Sequence, residues 1–321
     1  MGRYLIRRLL QAIMMLALLT FGFYVMIFQL GDPIARFSNN PRISPEDKQR
    51  IRQDYGLDKP LAEQYLTWVT NMARGNWGRS IVNKVPVLEE IGDALKNTLI
   101  LMVTAFVVTL LVAIPIGIYS AVRQYSLFDH VITGLSFVFY SLPVFFLGLV
   151  LIFTFAIKFK EWGLPALPPG KMYDLREGMT LTSVATHLVL PVMTLVLINA
   201  ALYVRYLRSS MLEVLSQDYL RTARAKGLSN WTVLQRHAFK NAALPLVTLI
   251  MLQLASLFSG AVVTERLFSW PGMGTLFINA VEQVDYPILM GILTIAAALI
   301  IVANLLADVI YAYLDPRIKY S

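Results

Sequence analysis

Long apolar stretches alternate with shorter polar segments along most of this 321-residue chain. A helix that crosses a bilayer needs roughly 20 predominantly apolar residues, and six stretches approach or exceed that length. They lie near residues 9–30, 98–120, 131–157, 188–204, 242–263 and 288–314. The pattern predicts an all-α integral membrane protein with six transmembrane helices.

The first apolar stretch follows three arginines, as the core of a secretory signal peptide would. Its length far exceeds the ~7–15 residues of a signal core, and no small-x-small cleavage site follows it. We therefore interpret residues 1–30 as a retained N-terminal anchor helix.

Residues 31–97 form a polar segment that is long enough to carry helices of its own. Ser44 is typical of a helix N-cap, and Gly56 is suited to end that helix. A second helix is predicted to begin at Pro60 and to stop near Gly75, with one apolar face. That face would pack on the helical bundle as a lid, lie on the membrane surface or cover the outer mouth of a pathway.

Another polar segment separates the fifth and sixth stretches. Residues 270–274, Trp-Pro-Gly-Met-Gly, break regular structure there. Residues 276–284 are amphipathic, which indicates a short interfacial helix or a re-entrant element. For Glu265 and Arg266, just before this break, we favour an outer gate or docking role over a plain interfacial pair.

Composition supports the bilayer as the solvent, because only 15% of the residues are charged, against about 25% in soluble domains. The absence of cysteine excludes disulfides, thiolate metal sites and thiol nucleophiles. The net charge of +8 is unevenly placed: both termini, the turn after the second stretch and residues 205–241 together carry +9, whereas the alternate segments sum to zero. The positive-inside rule places the basic set in the cytoplasm and explains the excess without a nucleic-acid partner.

Residues 205–241 are the only long cytoplasmic loop of this topology. Good helix formers without proline predict a helix from Met211 to Lys226, and Gly227 suits a left-handed C-terminal cap. Small residues in this helix would allow close approach to a groove of a soluble partner, and its cations would fix the orientation. A basic loop bound by lipid headgroups explains the same pattern equally well.

The same loop carries a series of motifs. They are Arg221-Thr222-Ala223-Arg224-Ala225-Lys226-Gly227-Leu228, Arg236-His237-Ala238 and Asn241-Ala242-Ala243-Leu244-Pro245. This series resembles the coupling loop of bacterial ABC importer permeases, and more narrowly that of the dipeptide/oligopeptide/nickel permease family. The general importer motif begins Glu-Ala-Ala, and the departure from it here resembles the peptide branch.

Other motifs extend the resemblance over nearly the whole chain. In order, they are Gly31-Asp32-Pro33, Tyr55-Gly56-Leu57-Asp58-Lys59-Pro60, Gly75-Asn76-Trp77-Gly78-Arg79-Ser80, Ser141-Leu142-Pro143, Arg208-Ser209-Ser210-Met211, the segment 265–274 and Asp315-Pro316-Arg317-Ile318.

The resemblance implies a type I ABC importer permease core of five transmembrane helices in residues 98–321. It also implies a coupling loop at 205–241 with a cytoplasmic coupling helix, and a helical extracytoplasmic loop at 31–97. The ATPase contacts that it implies are Met211, Arg221, Thr222, Ala223, Arg224, Ala225, Lys226 and Gly227.

The partners implied by the resemblance are a homologous second permease subunit, two cytoplasmic ATPase subunits and an extracytoplasmic solute-binding protein, in a bacterial plasma (inner) membrane. No catalytic residues carry over, so the chain is expected to be a non-catalytic permease. It also lacks a Gly-x-x-x-x-Gly-Lys-Ser/Thr loop. ATP and Mg²⁺ are therefore expected in the ATPase subunits, with no cofactor or metal in this chain.

Polar residues and a proline in or near the predicted spans are candidates for a pathway or gate. They are Ser141, Pro143, Asn199, Tyr203, Glu265, Asn304 and Asp308. Ser141 and Pro143 are expected to mark a kink. Asp308 is the only acidic or basic residue well within a predicted span, where charges are costly and often functional. Polar contacts between helices account for most of the others equally well.

The leading hypothesis is a permease subunit for the import of di- or oligopeptides. Nickel, oligosaccharide, opine and glutathione import stay open, because the binding protein largely selects the solute. An intramembrane hydrolase is disfavoured, since the three histidines are far apart and no His-Glu-x-x-His or Gly-x-Ser-Gly motif occurs. A stand-alone channel or secondary transporter would leave the coupling motifs unexplained.

Overall fold

The computed structural model of the chain describes residues 2–28, 49, 59–247, 249–250 and 261–314. Apart from one isolated β-bridge, the regular secondary structure of these residues is helical. The main helices are α1 (Gly2–Phe28), α2 (Leu61–Ala73), α3 (Val87–Val122), α4 (Leu127–Ser141), α5 (Val144–Leu151), α6 (Leu181–Leu215), α7 (Asp218–Ala225), α8 (Val262–Leu267), α9 (Met273–Gln283) and α10 (Tyr286–Leu314). The all-α prediction is thus confirmed for the described part of the chain.

Four helices are long and apolar enough to cross a membrane: α1, α3, α6 and α10. A fifth span forms if α4 and the helical segment Val144–Glu161 are taken together, although they are bent by 109°. Half of the fifth predicted span, at 242–263, lies outside the described residues, so the count of six stays a prediction.

The chain divides into two compact units, of which the first comprises residues 1–96 and 272–321. Its core brings Val87 and Ile91 of α3 together with Ile288 and Leu289 of α10. Gly291 allows this approach, because a Cβ there would lie 2.6 Å from side-chain atoms of both Val87 and Ile91. In the same unit α1 packs against α10.

Helix α2 begins directly after Pro60 and ends before Gly75, which has a φ of +85°, as predicted. It packs on α1 through polar tips: Tyr65 Oη lies 3.0 Å from Thr20 Oγ1, and the Tyr24 hydroxyl donates to Gln64 Oε1 at 3.1 Å. The packed arrangement is therefore the one observed. The helix predicted from Ser44 to Gly56 lies outside the described residues, except for Gln49.

A buried carboxylate joins two distant segments of the first unit. Asp285, which precedes α10, accepts a hydrogen bond from the Ser80 hydroxyl at 2.5 Å and from the backbone N–H groups of Ile81 at 3.2 Å and Val82 at 3.3 Å. It is 3% exposed. The turn before α3 is thereby fastened to the start of α10.

The second unit, residues 97–271, contains most of α3 together with α4 to α8. The predicted span 188–204 is too short at both ends, because α6 runs from Leu181 to Leu215 and passes through Pro191. Its polar first turns resemble a loop in sequence. They are helical because Thr180 Oγ1 caps the Ser183 N–H, and His187 Nδ1 lies 2.7 Å from the Ser183 carbonyl oxygen.

The kink predicted at Ser141 and Pro143 is confirmed. Helix α4 ends at Ser141, Leu142 is extended, and α5 starts after Pro143. Proline cannot donate the backbone hydrogen bond that would continue the helix, and it disfavours the helical conformation of the residue before it.

An irregular segment that includes residues 164–170 lies between Glu161 and α6. It packs on the end of α8, where the Lys171 N–H donates to the Phe268 carbonyl at 2.7 Å. Gly170 permits this contact, because a Cβ there would lie 2.7 Å from the Phe268 oxygen.

The prediction of one helix from Met211 to Lys226 is wrong. Helix α6 ends at Leu215, Gln217 is extended, and α7 starts at Asp218. The carbonyl of Glu213 accepts hydrogen bonds from the side chains of Ser216 at 2.8 Å and Gln217 at 3.4 Å. Such side-chain bonds compete with the helical pattern and satisfy the end of α6 without a proline or glycine.

Candidate functional site

Helix α7 is amphipathic, with one face held against its own chain. Leu220 is completely buried and Ala223 is 8% exposed, and both pack in the core of the second unit. The other positions of the helix are exposed. A helix of eight residues is marginal by itself, so these buried contacts are what keep it folded.

The exposed face of α7 and its C-cap carry three cations, Arg221, Arg224 and Lys226. Arg221 lies 3.5 Å from Asp218, but their side chains are 78% and 92% exposed, and such surface pairs contribute little to stability. The guanidinium groups thus remain accessible to an acidic partner surface.

The end of α7 confirms the predicted left-handed cap. Gly227 has a φ of +78°, and its N–H donates to the Arg224 carbonyl at 2.9 Å. No atom lies within 4 Å of a Cβ built at Gly227. Glycine is therefore favoured here by the backbone conformation and not by a steric limit inside this chain.

The hydrogen bonds that the Asn241 side chain makes to residues in and after α7 were not predicted. The Asn241 side-chain amide donates to the Tyr219 hydroxyl at 3.0 Å and to the His237 carbonyl at 2.9 Å. It ties the first turn of α7 to the following helical segment, which includes wider π-type turns over Val233–Phe239. The position of α7 is thus set by the burial of Leu220 and Ala223 and by the hydrogen bonds of Asn241.

Two of the residues named as partner contacts are not on the exposed surface. Met211 belongs to α6 and is completely buried, and Ala223 faces the core. The expectation that Ala223 eases the approach of a partner therefore needs correction, because its methyl group contacts this chain. Both residues position the loop instead of touching a partner in this conformation.

The pathway candidates of the second unit lie in different surroundings. Ser141 and Pro143 are exposed at the helix break. Asn199 donates to the Leu195 carbonyl of its own helix at 2.8 Å. Tyr203 is 2% exposed within the core, and its hydroxyl has no hydrogen-bond partner in the part of the chain that is described. In the described part of the chain, no hydrogen bond joins any two of these residues.

Glu265 lies in α8 and is completely buried. Its carboxylate accepts a hydrogen bond from Thr98 Oγ1 at 2.8 Å, and its carbonyl accepts one from the Trp270 N–H at 2.8 Å. Trp270 in turn donates from Nε1 to the Asn97 carbonyl at 2.9 Å. Glu265 is thus part of a packed network and is not exposed for docking in this conformation.

The two candidates of the first unit lie in α10. Asn304 is exposed. The side chain of Asp308 lies outside the described residues, so its surroundings stay a prediction.

Two family models match this chain. The model described as "Binding-protein-dependent transport system inner membrane component" covers residues 113–320, and the corresponding N-terminal model covers residues 1–104. The chain belongs to this family.

Several relatives of this inner membrane component match over nearly their full length. The oligopeptide transport system permease protein AppB of Bacillus subtilis (strain 168) is 41% identical over 100% of both chains. The dipeptide transport system permease protein DppB of Escherichia coli (strain K12) is 38% identical, over 95% of this chain and 94% of its own. The di/tripeptide transport system permease protein DppB of Pseudomonas aeruginosa (strain UCBPP-PA14) is 36% identical, over 94% and 95% respectively.

The family match confirms the predicted resemblance and makes the chain a non-catalytic membrane component of a transport system. Together with the apolar helices, it also supports a multi-pass inner-membrane protein.

An ion pair between the buried Asp129 and the partly buried Arg208 was not predicted. Asp129, 1% exposed, accepts hydrogen bonds from Arg208 Nε at 2.5 Å and Nη2 at 2.7 Å. Ser120 Oγ and the Tyr125 N–H, at 3.0 Å, also donate to its carboxylate. The pair joins the end of α3, the turn to α4 and α6. In the sequence, Asp129 belongs to a short polar segment with no net charge, and the pattern gave no indication of an ion pair at this position.

Proposed function

We propose that this chain is one of two homologous permease subunits of an ATP-driven importer of di- or oligopeptides. An extracytoplasmic binding protein delivers the solute, and two cytoplasmic ATPase subunits supply the energy. Helix α7 is the coupling helix that receives their movement. The anchor 1–30, the outer loop 31–97 and the core 98–321 with its coupling loop 205–241 are the functional divisions that we assign.

The observation that carries this proposal is the exposed, rigidly supported basic face of α7. Leu220 and Ala223 fix the helix to the core, and Asn241 fixes its first turn. The outward positions Arg221, Thr222, Arg224 and Ala225 are left without burial. A short helix anchored in this way transmits a push to α6 instead of absorbing it.

The charge distribution supports a cytoplasmic position for α7. The flanking segments that alternate with residues 205–241 carry no net charge, whereas the set containing this loop carries +9. By the positive-inside rule both termini and α7 are cytoplasmic. This orientation supports a coupling face that meets cytoplasmic ATPase subunits.

Peptide as the solute is supported by the names of the relatives, which are permeases of oligopeptide, dipeptide and di/tripeptide transport systems. Nickel, oligosaccharide, opine or glutathione uptake by the reconstituted system, in place of peptide uptake, would be the outcome against this assignment.

The test is a charge reversal on the exposed face of α7. We expect Arg221→Glu combined with Arg224→Glu to lower ATP-dependent uptake roughly tenfold or more, because a reversed charge at an interface costs several kcal/mol. Uptake is measured in vesicles that contain the complete transport system, and co-purification of the ATPase subunits is measured in parallel.

Arg176→Glu is the matched control, because Arg176 is also exposed but lies in the loop before α6. It should leave uptake and co-purification unchanged. Wild-type uptake by the double variant with its ATPase subunits retained would contradict the coupling role of α7. Solute accumulation in vesicles that contain this chain alone would favour a channel or secondary transporter.

A further inference from the structure

An arginine of α6 is held by aromatic rings instead of by an acid. The guanidinium carbon of Arg205 lies 5.1 Å from the centroid of the Phe137 ring and 4.7 Å from that of Tyr140. Both rings belong to α4. Cation–π contacts of this kind are worth about 0.5–2 kcal/mol each, so the aromatic pair fixes the position of the charge.

The charge of Arg205 is not neutralised within the described residues of the chain. No Asp or Glu lies within 4.0 Å of it there, whereas Arg208, one turn later, is paired with Asp129. A guanidinium has five N–H donors, and the ring faces accept none of them as a carboxylate would. The neighbouring arginines thus differ: Arg208 completes an internal ion pair, whereas Arg205 has no acidic partner in the described part of the chain.

Arg205 points into the span and away from the end that carries α7. Arginine side chains in a helix lean toward its N-terminus, which for α6 is the end away from α7. Phe137 and Tyr140 follow Asp129 by about 12 and 16 Å along α4, at 1.5 Å per residue. The guanidinium of Arg205 is therefore well removed from the Asp129–Arg208 pair and close to the helix break.

The helix break between α4 and α5 limits what can contact this surface. Tyr140 and Ser141 are exposed directly before the extended Leu142, and the adjacent Phe137 is 55% exposed. Non-helical backbone at membrane depth is tolerated only where it is buried in protein or lines a water-filled cavity. Exposed at the break, these residues are therefore not expected to face lipid.

We propose that Arg205, with Phe137 and Tyr140, forms a binding site for the carboxylate of the translocated solute, which is the C-terminal carboxylate of a peptide. The guanidinium donates to the carboxylate oxygens, and the rings contact the terminal side chain. This inference rests on the proposed peptide import and adds a recognition step inside the permease. No covalent step is involved.

The experiment compares two peptides of one sequence, one with a free C-terminal carboxylate and one with a C-terminal amide. Uptake of each is measured for wild type and Arg205→Gln in vesicles that contain the complete system. The ratio of variant to wild-type uptake is taken for each peptide, so the preference of the binding protein cancels. We expect the free peptide to lose about tenfold more than the amide, the scale of one charge-assisted hydrogen bond.

Two further variants separate recognition from general damage. Arg205→Lys keeps the charge and should retain part of the discrimination between the two peptides. Arg123→Gln removes an exposed arginine from the turn between α3 and α4 and should show no discrimination change. Thermal unfolding of each purified variant shows whether it is folded.

Equal losses for the free and amidated peptides would overturn the site. So would a loss that appears only in vesicles with anionic lipid and not in zwitterionic ones, since Arg205 would then bind a headgroup phosphate. A wild-type system that imports neither peptide would instead overturn the proposed function, and this inference with it.

Discussion

At the scale of single residues, Asp129 shows most clearly how this membrane protein manages a buried charge. Its carboxylate is surrounded by Arg208, the Ser120 hydroxyl and the Tyr125 N–H, so its oxygens are satisfied. Such a pair is costly to bury but much more costly to break, because the remaining charge is left without a partner.

We expect Asp129→Asn to lower the free energy of unfolding by about 3 kcal/mol, because Arg208 keeps its charge and loses its counterion. The measurement is thermal unfolding of the purified protein in detergent. Ser120→Ala should cost only about 1 kcal/mol, since it removes one hydrogen bond. Asp129→Asn combined with Arg208→Gln should be more stable than Asp129→Asn alone, and an unchanged melting temperature for Asp129→Asn would contradict this account.

At the scale of elements, the boundaries marked by proline and glycine were predictable from sequence. Pro60 and Gly75 delimit α2, Pro143 breaks the third span, and Gly227 follows α7. These residues restrict or extend the allowed backbone angles directly, so their effect is local.

Boundaries set by side-chain hydrogen bonds were not predictable in the same way. The end of α6 depends on Ser216 and Gln217 bonding to the Glu213 carbonyl, and its start depends on the Thr180 cap. The burial of Ala223 and Met211 depends on tertiary packing. The segment proposed for coupling could therefore be located from sequence, but not which of its residues face outward.

The helix break carries a prediction about water. Because the natural chain has no cysteine, single-cysteine variants need no background removal. Ser141→Cys should react with a water-soluble maleimide in the assembled transporter, since the thiolate that reacts forms only in contact with water. Leu111→Cys, at a position 68% exposed within the apolar helix α3, should stay unreactive, because we expect an exposed apolar position of a span to be shielded from water. If neither cysteine reacts with the maleimide, the helix break is not accessible to water, which would contradict the prediction.

At the scale of the whole molecule, the family match and the apolar helices agree on a multi-pass transport component. The direction in which it is inserted is predicted only by the charges of the loops. That prediction matters because it decides whether α7 meets an ATPase or a binding protein.

Insertion is tested with cysteines at two exposed positions, Leu175 (73% exposed) and Trp231 (64% exposed). In intact spheroplasts, Leu175→Cys should react with a membrane-impermeant maleimide. Trp231→Cys should react only after the membrane is permeabilised, because the positive-inside rule predicts that the basic loop is cytoplasmic. The opposite pattern of labelling would reverse the orientation and would contradict the coupling role of α7.

The link between Ser80 and Asp285 has a consequence for biogenesis. Its two ends are separated by 205 positions in the sequence. At roughly 5–20 residues per second, a ribosome needs about 10–40 s to make the intervening polypeptide. Until Asp285 has been synthesised, the Ile81 and Val82 N–H groups of the turn before α3 therefore lack their hydrogen bonds to its carboxylate. Truncation before Asp285 would leave the beginning of the nascent protein unfinished as well as its end.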